Sequence, residues 1–262
     1  MDNMNFLENY YHTHDEENRL LSRHGMVEYM TTMRYIDKYL FPGARILEIG
    51  AGTGRYSLAL AKQGYSVDAV ELIQRNIDIF KSKITPELKV SIRQGNASDL
   101  SFMDDELYDI TLLFGPMYHL YAKDDKLKAL SEALRVTKKG GLLFTAYCLS
   151  DASIIGYGFL KGNIHTLIEK GLLDTETYKT HSTPAEVFEL VRKEDIEELM
   201  SHFQVSRLHY VATDLFTNYM RDTVDAMDDK TFDTYLKYHF AICERPDMVG
   251  ISHHSLDIVR KN

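Results

Sequence analysis

Glu48, Gly50, Gly52, Gly54 and Glu71 carry the clearest chemical signal in this sequence, in the runs Ile-Leu-Glu-Ile-Gly-Ala-Gly-Thr-Gly-Arg and Val-Asp-Ala-Val-Glu-Leu. Glycines let a backbone turn sharply and let a ligand approach main-chain N–H groups, because no Cβ stands in the way. A carboxylate placed like Glu71 can accept hydrogen bonds from both vicinal hydroxyls of a ribose. These residue types in this order suit the binding of a nucleoside. Further along, Gly115-Pro116-Met117-Tyr118-His119-Leu120 sets a histidine beside a tyrosine. An imidazole with an ordinary pKa of about 6.5 removes protons near neutral pH, so His119 is the first candidate for a general base, with Tyr118 to orient it or its substrate. A histidine that caps a helix or bonds a backbone carbonyl would fit the same position.

The surrounding sequence predicts the elements that hold these groups. Ile46, Leu47 and Ile49 form a short apolar run that ends in the glycines, and Leu58, Ala59 and Ala61 follow at helical spacing. The next apolar run, Val67–Val70, stops at Glu71, which completes a βαβ unit with an acid at the tip of its second strand. A helix over 72–83, a strand over 88–93 and a polar turn at Gln94–Leu100 come next, with Asn96 and Asp99 as side chains able to meet a base or to cap a turn. Tyr108–Phe114 is nearly all apolar, as a strand buried on both faces should be. Residues 124–136 read as a helix, Lys138-Lys139-Gly140-Gly141 as a glycine turn and 142–149 as a strand. Ahead of this core, 6–40 reads as one or two helices, fronted by Tyr10-Tyr11-His12-Thr13-His14. Behind it, 150–183 is polar and too long for a simple loop, which predicts an inserted lid with short helices. A helix over 193–202, strands over 203–212 and 250–259, and an intervening helical pair with Leu215, Tyr219, Met220, Phe232, Tyr235, Leu236, His239 and Phe240 in apolar stripes, a pattern more often core than pocket, complete the chain.

The glycine spacing narrows the nucleoside. A dinucleotide fingerprint, Gly-x-Gly-x-x-Gly, would need glycine where Arg55 stands. The run beginning at Glu48 is instead Glu-x-Gly-x-Gly-x-Gly, which resembles motif I of the class I S-adenosylmethionine-dependent methyltransferases. The resemblance covers residues 40–150 and implies an α/β fold: a Rossmann-like, doubly wound, mostly parallel seven-stranded sheet with an inserted helical lid. It divides the chain into an N-terminal helical cap (1–43), a cofactor-binding core (44–149), and lid segments with the last two strands of the core sheet (150–262). It also implies S-adenosyl-L-methionine as cofactor. Gly50, Ala51, Gly52, Thr53 and Gly54 would form its loop, Glu71 its ribose acid, and Glu48 a support for the loop or the sulfonium-amino end. Leu72, Asn96, Ala97 and Phe114 would flank the adenosine. Asn96 replaces the acid usual in the family but keeps a carbonyl acceptor. Tyr10, Tyr11 and Arg23 are the cap residues that could meet the methionine carboxylate or the substrate, and the helical pair before the last strand is where a substrate cover is often built. Other Rossmann-like nucleotide binders remain as alternatives: a nicotinamide oxidoreductase, against which Arg55 argues, and a protein that holds the cofactor without transferring methyl.

The resemblance also bears on the acceptor. Methyltransferases acting on exocyclic base amines carry Asn or Asp followed by Pro-Pro and an aromatic where this chain has Gly115-Pro116-Met117-Tyr118, so the accepting side chain is missing. The cytosine-C5 class needs a Pro-Cys nucleophile, whereas Cys148 follows Tyr147. Gly-Pro-Met-Tyr-His-Leu looks like the small-molecule, ubiquinone/menaquinone-type branch, with transfer to RNA or protein as the alternative. Charge agrees: 39 acidic against 30 basic residues give a net charge of −9, and Lys81, Lys83, Lys138 and Lys139 fall at helix ends rather than in one patch, which disfavours nucleic acid. Met1–Tyr11 lacks the apolar stretch of a signal peptide and no run approaches about 18 apolar residues, so a cytoplasmic protein, with no membrane partner, is expected. Cys148 and Cys243 are too few for a disulfide scaffold. His12, His14, His253 and His254 lack ligand spacing with acids or thiols, so no metal is expected. A monomer and a homodimer are equally compatible with the sequence.

Overall fold

The computed structural model describes residues 3–14 and 17–262. Its centre is a seven-stranded sheet in the order β3-β2-β1-β4-β5-β7-β6. The strands are β1 (Arg45–Ile49), β2 (Ser66–Glu71), β3 (Val90–Gln94), β4 (Tyr108–Leu113), β5 (Thr137–Cys148), β6 (Val205–Ala212) and β7 (His254–Lys261). All neighbours pair in parallel except β5 with β7 and β6 with β7. The helices are α1 (Asn3–Thr13), α2 (Arg23–Tyr39), α3 (Arg55–Lys62), α4 (Gln74–Ser82), α5 (Lys123–Val136), α6 (Ser150–Ser153), α7 (Ile164–Glu169), α8 (Lys193–Met200), α9 (Arg221–Asp225) and α10 (Asp229–Ile242).

Two apolar layers follow from the alternation of side chains along the central strands. Ile46, Ile110, Leu112 and Phe144 point to one face, where Tyr35 and Ile36 of α2 and Tyr56 and Leu60 of α3 cover them. Leu47, Ile49, Leu113 and Leu143 point to the other, beneath Leu130 and Leu134 of α5 and Ile196 and Leu199 of α8. Both faces being covered, β1 and β4 are mostly apolar, with Glu48 and Thr111 as their buried polar members. The strand order reverses direction between β1 and β4, and a doubly wound sheet opens its ligand crevice at such a point, beyond the carboxyl ends of the strands.

Three expectations need correction. The Lys138–Gly141 turn is part of β5: Gly140 takes a φ of +77° there and the pairing with β4 shifts register between Tyr108 and Ile110, so the glycines form an irregularity within a long strand. The closing strand starts only at His254, after a 3-10 turn over Val249–Ile251. The helical pair α9–α10 does not cover the crevice. Val224, Phe232 and Leu236 pack on Val27 of α2, so the stripes read from the sequence are core. The insertion after β5 does hold short helices, α6, a π-helical stretch over Ile154–Leu160, and α7. It returns to its point of departure, where the Ser150 N–H donates to the Val191 carbonyl and the Val191 N–H to that of Cys148.

Candidate functional site

A cavity of about 480 Å³ lies at the carboxyl ends of β1, β2 and β4. Its floor is the glycine loop. Gly50 adopts φ +81°, and a Cβ there would stand 2.2 Å from the Phe114 carbonyl oxygen, so only glycine allows β1 and β4 to close up beneath the cavity. Gly50, Ala51, Gly52 and Thr53 line it as expected. Gly54 does not. It begins α3 at φ +88°, and a Cβ would meet the Phe80 ring at 2.7 Å, so this glycine serves the packing of α3 against α4.

The two carboxylates expected from the sequence flank the loop. Glu71, 5% exposed, accepts the Gly52 N–H at 2.8 Å on one oxygen and the Ile73 N–H at 2.9 Å on the other. Burial raises its pKa, and those backbone donors oppose the rise. Glu48, on β1, accepts the backbone N–H of Ser57 at 2.9 Å and the Ser57 hydroxyl. Burial pushes its pKa up to about 8, only partly offset by Ser57. Glu48 therefore ties the first turn of α3 to β1 and also reaches the cavity wall.

Leu72, Asn96, Ala97 and Phe114 line the cavity beside Glu71, and the Phe114 ring packs against Tyr56 at 5.1 Å. The Asn96 side-chain oxygen accepts the Ser98 N–H at 3.0 Å, so it shapes the turn that borders the cavity. Asp99, its alternative, accepts the Ser101 N–H and lies outside the lining.

The cap forms the roof. Tyr11 lines the cavity and donates its hydroxyl to Nε2 of His119 at 3.0 Å. Nδ1 of His119 donates to the Val187 carbonyl at 2.9 Å, which leaves Nε2 as the acceptor. Burial pushes the His119 pKa down to about 4, with the Val187 bond opposing. The ordinary histidine pKa expected from the sequence is thus corrected: the imidazole is neutral at pH 7, and its proton-accepting nitrogen is already engaged. Tyr118 lines the same end, its hydroxyl kept protonated chiefly by burial. Its ring meets His119 edge-on at 5.2 Å, so the hydroxyl that orients His119 belongs to Tyr11 rather than to Tyr118.

Arg23 is also corrected. It faces away from the cavity, pairing with Asp229 at 2.5 Å beside the Phe232 ring, because it starts α2 on the side that packs against α10. Arg19 stands in the cavity wall instead, along with Leu20, and Glu28 holds it by bonds to both terminal nitrogens. Tyr10 stacks on His14 at 3.8 Å and meets Phe188 edge-on, outside the lining. Sequence reading missed Arg19, Tyr56 and Tyr121. No spacing distinguishes Arg19 from Arg23 without knowing where α2 begins.

The structure also gathers Asp214, His253 and His254, with one ligand-type atom of each within 4.8 Å of the others. Asp214, just past the end of β6, stands 39 and 40 residues before the two histidines, so no local spacing links them. Its Oδ1 accepts the Ser252 hydroxyl and the N–H groups of His253 and His254, and its Oδ2 accepts from His254 Nδ1 at 2.9 Å. These contacts pair Asp214 with the His254 imidazole, while His253 joins them only through its backbone N–H. Among the described residues, no helix is long and apolar enough to cross a membrane.

Comparison with known proteins agrees with this geometry. Residues 46–141 match a family model described as a methyltransferase domain. A demethylmenaquinone methyltransferase of Clavibacter sepedonicus is 35% identical over 99 residues, 38% of this chain and 39% of the relative. One from Lysinibacillus sphaericus is 31% identical over 121 residues, covering 44% and 49%. The chain thus spans less than half the length of these curated relatives. Among solved structures, a possible histamine N-methyltransferase of Thermotoga maritima superposes with a TM-score of 0.59 at 20% identity, over 98% of this chain and 99% of that one. A Methanosarcina mazei S-adenosylmethionine-dependent methyltransferase gives 0.58 at 18% identity, over 87% and 96%. Residues 46–141 thus resemble a methyltransferase domain, and the sheet that holds them shares the Rossmann-like fold of these solved structures.

Proposed function

We propose that the chain is an S-adenosyl-L-methionine-dependent methyltransferase acting on a small-molecule acceptor. The observation that carries this reading is a single cavity holding, at one end, a glycine floor that a Cβ would obstruct with the Glu71 carboxylate beside it, and at the other His119, Tyr118 and Tyr11. The residues fit an adenosyl cofactor: Glu71 accepts from the ribose hydroxyls, Leu72, Asn96, Ala97 and Phe114 border the base, Gly50–Thr53 approach the amino-acid portion, and Arg19 meets its carboxylate. The cofactor supplies an electrophilic methyl group. The chain's own part is to align the acceptor and exclude water, which can contribute up to about 7–11 kcal/mol.

The Tyr11 hydroxyl donates to His119, Tyr118 keeps its proton, and neutral His119 accepts at Nε2 once the Tyr11 hydroxyl moves from it. A site with so weak a base suits acceptors whose nucleophilic atom needs no proton removed before it attacks, such as a neutral amine, a thiolate or an enolate. The relatives that methylate demethylmenaquinone support a small acceptor, and the net charge of −9 argues against a phosphate backbone. Two buried free thiols, Cys148 and Cys243, favour the reducing cytoplasm. The test is calorimetric titration with S-adenosylhomocysteine and, separately, NADH. Stoichiometric binding of the first alone is expected, and binding of NADH alone would replace this reading with a nicotinamide oxidoreductase.

A further inference from the structure

Arg19, in the cavity wall, is the outer end of a row of charges whose other members do not line the cavity. Glu28 holds the Arg19 guanidinium at 2.9–3.2 Å. On its other side, Glu28 Oε2 lies 3.3 Å from His254 Nδ1, which also donates to Asp214 Oδ2 at 2.9 Å. The row passes from a side chain 8% exposed at Asp214 to one 37% exposed at Arg19, the member in the cavity wall. The remaining groups around His254 are Cys148, its register partner on β5, and the adjacent His253. Tyr118 also lies near Cys148, Arg19 and Glu28.

Within these four groups, two carboxylates and two cations sum to zero. Take away the charge on His254, and a net negative charge remains directly behind the cation that faces the ligand. Glu28 would then act on Arg19 alone, weakening the attraction of the cavity wall for an anion.

We propose that His254 is a positioning residue for the carboxylate end of the ligand, acting through Glu28 on Arg19. Although burial disfavours its charged form, Glu28, Cys148 and Asp214 hold its pKa well above the ordinary histidine range, so the imidazolium persists at neutral pH. Arg19 itself is reached by the ligand, and His254 is not. The inference rests on the methyltransferase reading above, because that reading puts a carboxylate at Arg19.

The experiment compares two nucleosides that differ at that end. S-adenosylhomocysteine has the amino-acid carboxylate, and 5′-methylthioadenosine lacks it. Calorimetry on H254Q should show about tenfold weaker binding of the first, about 1.4 kcal/mol, with the second within twofold of wild type. Equal loss for both ligands would mean a merely structural role and would overturn the proposal, as would wild-type affinity for S-adenosylhomocysteine. H254K restores a cation between the carboxylates and should bring S-adenosylhomocysteine binding back to within about threefold. It also supplies the decisive comparison should the glutamine variant not fold, and selective loss of S-adenosylhomocysteine in H254K overturns the proposal. Wild-type protein that binds neither nucleoside removes the methyltransferase reading itself, whereas failure of H254Q alone leaves that reading in place.

Discussion

Replacing Glu71 by glutamine tests the centre of the site, since the amide keeps the shape of the carboxylate and changes only charge and hydrogen-bond character. In the native chain one carboxylate oxygen accepts the Gly52 N–H at 2.8 Å and the other accepts the Ile73 N–H at 2.9 Å. A glutamine has one acceptor oxygen, so its NH₂ must face one of those N–H groups whichever way it turns. A buried donor left unsatisfied costs about 1–3 kcal/mol, which for a chain of this length lowers Tm by roughly 2–4 °C per kcal/mol. Ligand binding suffers separately: hydrogen bonds from ribose to a charged acceptor contribute about 1.5–3 kcal/mol, so S-adenosylhomocysteine should bind roughly 10- to 100-fold more weakly to E71Q. The assay is calorimetric titration at a temperature well below the variant's Tm, with melting curves recorded on the same preparation. A variant that melts lower yet binds S-adenosylhomocysteine as wild type does would show that Glu71 only braces the loop, and the ribose role would be wrong.

Gly54→Ala separates packing from ligand contact: its Cβ enters the Phe80 ring at a φ of +88°, so a loss of about 2–4 kcal/mol is expected in denaturant melts, while S-adenosylhomocysteine affinity of the folded protein stays within about threefold of wild type. For Glu48 the sign is fixed by a folded pKa of about 8 against 4.5 unfolded: between those values the folded chain binds the extra proton, so stability falls as pH rises through that window, by at most about 1.4 kcal/mol per pH unit. E48Q mimics the protonated acid and should flatten this slope in melts taken from pH 5 to pH 8, and an unchanged slope would refute the assignment. Arg19→Ala should weaken S-adenosylhomocysteine binding about tenfold, whereas Arg23→Ala should leave it within twofold, since Arg23 is turned toward Asp229.

The parts of this protein legible in its sequence are those in which one stretch of chain makes both the element and the site. Gly50, Gly52 and Glu71 belong to one βαβ unit, so spacing alone places them together, and the apolar runs at Ile46–Ile49 and Tyr108–Phe114 show strands covered on both faces. The cap was not legible in the same way. Whether Arg19 or Arg23 faces the ligand depends on α2 starting at Arg23, with Ser22 capping it by accepting the Gly25 N–H, and on α10 taking up the face that Arg23 presents. The state of His119 depends on Val187, which arrives from an insertion 68 residues further along, and on Tyr11 from 108 residues before. Asp214, His254, Glu28 and Arg19 likewise come from the turn after β6, from β7, from α2 and from the segment before it, and no periodicity relates them. The half of the cavity proposed for the cofactor is thus encoded locally, and the half that would choose and activate an acceptor is encoded in tertiary contacts. That division has a physical consequence. A local glycine turn can be kept while distant contacts are exchanged, so a chain with this β1–α3–β2 unit can change its acceptor through Tyr11, Val187 and the insertion without disturbing Glu71.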